Sequence, residues 1–355
     1  MPRTYADTVD AIEQLLQDTG NATFKAADIN YEIEQVLREI VRVSPHILEV
    51  SFSIESRRGT ATSTSANNLV DSDKSQFVSG DSTNEKVIHN ETKHTYAVVT
   101  SYSSTSQVGL SKDIMTSGDA YRIYNKRCRA DNQLYIGDMF GFEEVIRAEY
   151  RVNQNPRQWR SVRYINPNVL EIGIGFTPDD SNASQTTSFV EVILEVAKEH
   201  VLCQLIDLDG LTNATGSAGD TSIAIDAMGE AQIIEKGNEF YLAGHATTYV
   251  ITANVTVSSN AATINFYPPL ESAIANNSAI TFVGSTLTSS LEDIVVRRTA
   301  GRLALHHSSA FMNTIPVGGD ETFNRFRRLG IDLIGLTDEL LSGSPPKTNK
   351  IYPRF

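Results

Sequence analysis

The sequence predicts an α+β multidomain chain, a helical bundle formed by the N- and C-terminal helices with large inserted all-β modules. Three observations lead there. Segments 5–19 and 26–43 near the start, and 291–312 and 321–342 near the end, carry apolar residues at helical spacing. The stretch between them is rich in Ser, Thr, Asn and Gly and alternates apolar with polar residues, the period of strands. None of the four end helices can bury its stripe alone, so packing them on one another is the simplest solution. Closing a bundle across roughly 240 inserted residues adds little, because loop entropy grows only logarithmically with length.

The predicted boundaries are 1–48 and 289–343 for the two halves of the bundle, 49–127 and 212–288 for two β modules, 128–211 for a central β-rich domain, and 344–355 for an extended tail. The first helix starts at Thr4, has Asp7 in its first turn, and places Val9, Ile12, Leu15 and Leu16 on one face. Gly20 and Asn21 end it. Ile29, Ile33, Val36, Leu37, Ile40 and Val41 give the second helix about four turns. Pro45 stops it, since proline disfavours the helical region for the residue before it.

From Glu49 the period changes to 2, and "EVSFSIES" opens the β block. Pieces such as "EKVIHN", "TYAVVTSYSS" and "DAYRIYN" are strands separated by Asp, Asn, Gly and Ser clusters. The central stretch 141–176 reads as three strands with loops at 154–158 and 166–168. "SFVEVILEVAKEHV" reads as a strand running into a short helix or a return strand. "TSIAID", "TTYVITANVTV" and "AATINFYPPL" alternate in the third β piece, and Pro268-Pro269 end the last of these.

The two outer modules share an order. Each has a strand, a turn carrying Ile114 or Ile274, a polar Gly/Asn corner and a closing strand, which is a faint repeat. Ser290 to Asp293 resembles a capping box opening the third end helix, with Leu291, Ile294, Val295 and Leu303 on its apolar face. Pro316 and Gly318-Gly319 break that helix. Asp320 and Glu321 start the last one, where acids suit the helix dipole, and Gly343 ends it.

The net charge of −13 argues against broad coating of nucleic acid. The charge is uneven. Segment 204–290 has one cation, Lys236, against eight acids, while the last helices and tail hold Arg297, Arg298, Arg302, Arg325, Arg327, Arg328, Lys347, Lys350 and Arg354. Two cysteines, Cys128 and Cys203, are too few for a disulfide framework and read as buried thiols. The N-terminus lacks a signal-peptide layout and no apolar run spans a bilayer, so the expectation is a soluble protein made in a cytoplasm.

Catalytic patterns are missing: there is no P-loop, G-x-S-x-G, H-E-x-x-H or paired CxxC. His306 and His307 are adjacent and diverge by about 100° on a helix, too far to share one metal. His89 and His94 read as surface residues flanking a turn. Glu143 and Glu144 face opposite sides of a strand, which does not make a glycosidase pair. Glu195, Glu199 and His200 read as a salt-linked edge. Trp159, in "PRQWR", is either a contact hot spot or a core anchor. No catalytic, cofactor-binding or metal residue is assigned, and no enzyme activity is expected.

Several passages together carry a resemblance. They are "YADTVDAIEQLLQD", "FKAADINYEIEQVLREIVRVSPHILEV", "LYIGDMFGFEEVIRAEYRVNQNPRQWRSVRYINPNVLEI" and "SLEDIVVRRTAGRLALHHSSAF", with the Ser/Thr/Asn-rich β passages between them. The chain resembles head–tail adaptor (connector) proteins of tailed bacteriophages. That resemblance implies a structural virion protein at the neck, made in the bacterial host cytoplasm. It implies a homo-oligomeric ring of twelve copies docked under the portal protein. The ring would join a tail or tail-completion (nozzle) protein and continue the channel through which DNA passes without sequence-specific contact, with no cofactor and no membrane. It also implies portal docking by the C-terminal residues Pro345, Pro346, Lys347, Lys350, Tyr352, Arg354 and Phe355. The simplest members of that family are short helical proteins with one small β excursion, and here the β insertions dominate. The alternative is a tail, baseplate or decoration component whose β modules bind a host surface.

Overall fold

A computed structural model of the chain describes residues 4–18, 20, 22–55, 57–139, 141–152, 154–174, 189–229, 232–310 and 320–343. Helices α1 (Tyr5–Leu16) and α2 (Ala26–Ile40) lead into β1 (His46–Glu55). A first β unit follows, with β2 (Arg58–Thr60), β3 (Asn68–Val70), β4 (Val87–Asn90), β5 (Thr95–Ser104), β6 (Gln107–Leu110) and β7 (Ala120–Tyr124). One helical turn, α3 (Gly80–Thr83), precedes β4. The middle holds β8 (Gln133–Tyr135), β9 (Phe142–Glu149), β10 (Trp159–Arg160), β11 (Val162–Asn166), β12 (Val169–Ile172) and β13 (Phe189–Lys198). The second unit holds β14 (Asp209–Thr212), β15 (Ser222–Asp226), β16 (Ile233–Ile234), β17 (Glu239–Leu242), β18 (Thr248–Ile251), β19 (Val255–Thr256), β20 (Ala262–Tyr267) and β21 (Ala279–Phe282). The long helices α4 (Ser289–Ala310) and α5 (Asp320–Gly343) come last.

This overturns the expected fold class of a helical bundle carrying inserted modules. Among the described residues strand makes up 35% and helix 24%, and their larger part is β, with a closed six-strand barrel and a half-barrel. Among the described residues there are five helices, one of them the four-residue α3. The physical reason lies in the cores. Helical spacing marks an amphipathic segment but does not say how much apolar surface the rest of the chain buries. Four of the five apolar cores here lie among strands. Within "SFVEVILEVAKEHV", Phe189–Lys198 form one long strand, β13, and its described residues form no helix or return strand.

β13 is the centre of the middle sheet, whose order is β1-β13-β9-β10. β1 pairs with β13 along all ten residues, from His46 opposite Lys198 to Glu55 opposite Phe189. Leu48, Val50, Ile54, Val192, Leu194 and Val196 from this ladder are buried in one core. Val250 and Tyr267 from the second unit enter the same core and fasten that unit to the sheet.

A buried ion cluster sits at each end of the ladder. At the β1 exit, Arg57 is fully buried and its five N–H donors are all used. They reach both Glu55 oxygens (2.9 and 2.8 Å), both Asp81 oxygens (2.6 and 3.0 Å) and the Gln76 carbonyl (2.9 Å). Lys86 Nζ lies 3.0 Å from Glu55, so two cations face two carboxylates. Burial pushes the Glu55 carboxyl up, but the charges of Arg57 and Lys86 outweigh it and pull it down to about 2. At the other end, buried Lys198 donates to Glu239 Oε1 (2.8 Å) and the Gly237 carbonyl (2.9 Å), and His46 Nε2 lies 3.2 Å from Glu239 Oε2. His200 donates from Nε2 to the Ser44 carbonyl (2.8 Å), which leaves Nδ1 to accept from the Thr286 hydroxyl (3.1 Å). That joins the end of β13 to the segment leading into α4.

The two outer β units share one strand-pairing map. In the first, the order is β2-β7-β4-β5-β6-β3, and in the barrel it is β14-β21-β17-β18-β20-β15, with every pair antiparallel. Strand for strand these orders are the same. The barrel closes because β14 also pairs with β15, whereas β2 and β3 meet only through the Ser63–Val70 bridge next to β2. The corner before the last strand matches too. Gly118 and Asn277 both have positive φ and donate to the carbonyls of Ala61 and Thr212, each at 2.8 Å. Asp119 and Ser278 accept the N–H of those same residues, each at 2.9 Å. Ile114 and Ile274 are both buried. A two-strand ribbon, β16 with β19, is added to the second unit.

Two tests follow from the ladder. Replacing Arg57 by Met strands buried Asp81 and leaves Glu55 with Lys86 alone, and removing one partner of a buried ion pair costs about 3–5 kcal/mol. Urea unfolding followed by circular dichroism should show that loss, and a change below about 1 kcal/mol, within the range of an exposed pair, would remove the cluster's structural role. The second test is acid. Burial holds the His200 imidazole below its usual value of 6.5. Burial pushes Glu239 up, but His46 and Lys198 prevail and hold it below its usual 4.5. In both cases the unfolded chain takes the proton first, so stability is full above those values and falls as pH drops through them. The urea midpoint should decline from pH 7 to pH 5, and His200→Gln should shallow that decline. An unchanged slope would show that His200 contributes nothing.

Candidate functional site

The helices form a layer on which the described parts of both chain ends meet. The Thr4 hydroxyl accepts from the Asp7 N–H (3.1 Å) and the Asp7 carboxylate accepts from the Thr4 N–H (3.0 Å), which closes the start of α1. The turn into α2 is held by Asp18, whose carboxylate accepts the N–H groups of Ala22, Thr23 and Phe24. Those bonds, the Phe24 one first, hold its carboxyl below the usual range. Helices of 12 and 15 residues are marginal alone. Ile12, Leu16, Ile29, Ile33, Val36 and Ile40 therefore pack against Leu291, Val295, Ala300 and Leu303 of α4. Burying each Ile or Leu contributes about 1.5–3 kcal/mol.

α4 and α5 cross closely at two glycines. A Cβ on Gly330 would lie 2.6 Å from Leu305 Cγ and 2.7 Å from the Gly301 carbonyl, and one on Gly301 would meet Leu333 and Ile334 at 3.1 Å. A polar relay runs beside this crossing. Arg302 donates to Glu32 Oε2 (2.6 Å) and to Glu39, and Arg298 donates to Glu39 Oε2 (2.6 Å) and Asp338 Oδ1 (2.5 Å). Glu32 and Glu39 stand two turns apart on α2 and Arg298 and Arg302 one turn apart on α4, so the relay ties three helices together.

Beside the relay lies a cavity of about 410 Å3 between α2 and α4. Its buried lining is Phe24, Glu32 and Leu303, and its exposed lining includes Asp28, Tyr31 and His306. Glu32 is 1% exposed. Arg302 occupies its Oε2, while Oε1 accepts no hydrogen bond among the described residues. His306 Nδ1 stands 3.0 Å from Oε1 without hydrogen-bond geometry. His307 turns the other way, with its ring centroid 5.1 Å from that of Phe24 and 4.8 Å from that of Phe326. Burial lowers its imidazole below the usual value, against the pull of Asp18. The two histidines diverge, as their adjacency dictates, yet both border this cavity.

The other singled-out residues lie apart from it. His89 stacks on Tyr96 (4.3 Å), and Arg129 lies 5.6 Å over the same ring. Glu143 and Glu144 are exposed on β9. Glu195 pairs with Arg147 (2.7 Å), and Glu199 lies 3.9 Å from Arg38, while His200 is buried. Trp159 is half-buried, with the Arg147 guanidinium 3.6 Å over its ring. Burial pushes the Cys128 thiol up to about 12 and the Cys203 thiol up to about 11, which keeps both protonated and unreactive. Among the described residues no three His, Cys, Asp or Glu side chains are grouped to hold a metal, and no helix is long and apolar enough to cross a membrane. Pro345, Pro346, Lys347, Lys350, Tyr352, Arg354 and Phe355 lie outside the described residues.

Sequence reasoning missed Glu32. Its signal was its place in the apolar stripe of α2, three residues after Ile29 and four before Val36, where a charge needs a partner.

α5 carries more apolar surface than its core uses. Leu333 and Leu341 are buried, but Leu336 and Leu340 on the adjoining flank are 41% and 44% exposed, and Ile331 is 52% exposed. The first half of the helix adds exposed Arg325, Arg327 and Arg328.

Gly330→Ala should destabilise the helical layer, because the methyl meets backbone at Gly301 and the helices must separate. Overpacking of this kind costs about 1–3 kcal/mol. Thermal unfolding reads it, and a stabilised variant would show that the crossing yields freely. No protein-family model, no curated protein and no solved structure matches the chain.

Proposed function

We propose that the chain is a structural virion subunit, a head–tail adaptor that assembles as a ring under the portal of a tailed bacteriophage and links it to the tail. The observation that carries this is the surplus apolar flank of α5, Leu336 and Leu340, exposed on the layer where the chain ends meet. A lone subunit leaves these leucine side chains partly in water, whereas a neighbouring copy would bury them. Rings arise when such contacts join unlike faces and close by rotation. The exposed arginines of α5 supply charge for an acidic neighbour. The buried ion clusters and the glycine crossing support a stiff subunit, which a joint under load requires. In this proposal twelve copies surround the DNA channel, and residues 344–355 reach the portal.

Mass photometry of the chain with its portal protein tests this. The wild type should give one large, discrete assembly. Leu336→Glu combined with Leu340→Glu should stay monomeric while keeping the wild-type circular dichroism spectrum, because both side chains lie outside the core. A wild type that remains monomeric with and without portal overturns the proposal.

A further inference from the structure

The cavity between α2 and α4 has the chemistry of a socket for a basic side chain. A carboxylate open to a further donor lies inside it, because Glu32 is buried, Arg302 engages Oε2, and Oε1, with His306 Nδ1 3.0 Å away, accepts no hydrogen bond among the described residues. Leaving a buried carboxylate oxygen without a donor is costly, and a ligand N–H would remove that cost. The aromatic rings of Phe24, Tyr31 and His307 line the same space, and aromatic faces attract cations. Asp28 adds a second, exposed carboxylate. The volume, about 410 Å3, admits a lysine or arginine side chain with part of its backbone.

We infer that this cavity binds the chain's own C-terminal segment, residues 344–355, through one of its cations. Three arguments select this occupant. The segment carries Lys347, Lys350 and Arg354 and no acid, which complements Glu32 and Asp28. It has an aromatic residue on each side of Arg354 within two positions, Tyr352 and Phe355, to meet the aromatic lining. It also reaches. α5 runs antiparallel to α4, as Arg298 against Asp338 and Gly301 against Gly330 show. The end of α5 therefore lies near the first turns of α4, roughly 18 Å along that helix from the cavity at 1.5 Å per residue. Twelve extended residues span about 40 Å.

This inference needs no ring and no portal. It does bear on the portal proposal, because one segment cannot occupy the cavity and a portal at the same time, so docking would require its release.

The test uses the full-length chain and a fluorescein-labelled peptide, SPPKTNKIYPRF, read by anisotropy. The triple variant K347A/K350A/R354A, with its own cations removed, should bind the peptide about tenfold or more tightly than the wild type, whose cavity is already filled. Adding Glu32→Gln should weaken that binding about tenfold or more, as loss of one partner of a buried charge pair does. Tyr31→Ala and Asp28→Asn lie at exposed positions and should weaken it while leaving the fold intact, which keeps the test decisive if Glu32→Gln unfolds. Failure of the triple variant to bind, or binding that none of these substitutions weakens, overturns the inference. Carbodiimide crosslinking of isotopically mixed wild-type copies should join Lys347 or Lys350 to Asp28 within one copy. Crosslinks found only between copies overturn the same-chain assignment.

Discussion

The antiparallel ladder of β1 against β13 is the constraint on which the other parts depend. Its ten residue pairs fix where the first β unit leaves the sheet and where the chain departs for the barrel and α4. Each exit is pinned by buried charge, Arg57 with Glu55 and Asp81 at one end and Lys198 with Glu239 at the other. Such clusters cost desolvation that their attraction only about repays, so their net contribution to stability is small. Their effect is on specificity. A first unit docked at another angle would pull buried Arg57 away from Glu55 at the end of β1, and a barrel rotated on the sheet would leave Lys198 without Glu239.

The two outer β units repeat one pairing map, and they differ in what surrounds their first two strands. β14 pairs with β15 and closes the barrel, while β2 and β3 touch through a single bridge. The first unit instead uses polar side chains at this edge. Tyr121 donates to Asp71 (2.6 Å), and Gln76 donates to Tyr121 (2.7 Å) and to the Arg58 carbonyl (3.1 Å), so buried groups at the gap are satisfied without a full ladder. The second unit fills its interior with Phe240, Tyr249, Phe266 and Phe282, whose rings lie 5.3 to 5.6 Å apart where they meet.

The helical layer is where uncommitted surface collects. Its interior is closed by the glycine crossing and the arginine relay, yet Leu336 and Leu340 remain outside the core and Glu32 keeps an unused acceptor. Elsewhere the buried cations Arg57 and Lys198 are matched to carboxylates, so they read as structure and not as chemistry. On the helices, the features that ask for a partner are Glu32 of α2 and the flank of α5.

The sequence by itself determined local structure. Thr4 with Asp7, the apolar stripe of α2, the change of period at Glu49 and the Gly/Asn corners before β7 and β21 are all written in neighbouring residues, because caps, periodicity and turns are short-range effects. It also hinted at the repeated β unit through Ile114 and Ile274, although only strand pairing made the shared map visible. Tertiary structure alone decided the rest. That strands outweigh helices, that β1 joins β13 across more than a hundred residues, and that Glu32, Arg57 and Lys198 are buried depend on which distant segments meet. A side chain's burial and its ion partners belong to the space around it, and in this chain those partners come from elements far apart in sequence: Glu32 with Arg302, Lys198 with Glu239, Arg57 with Asp81.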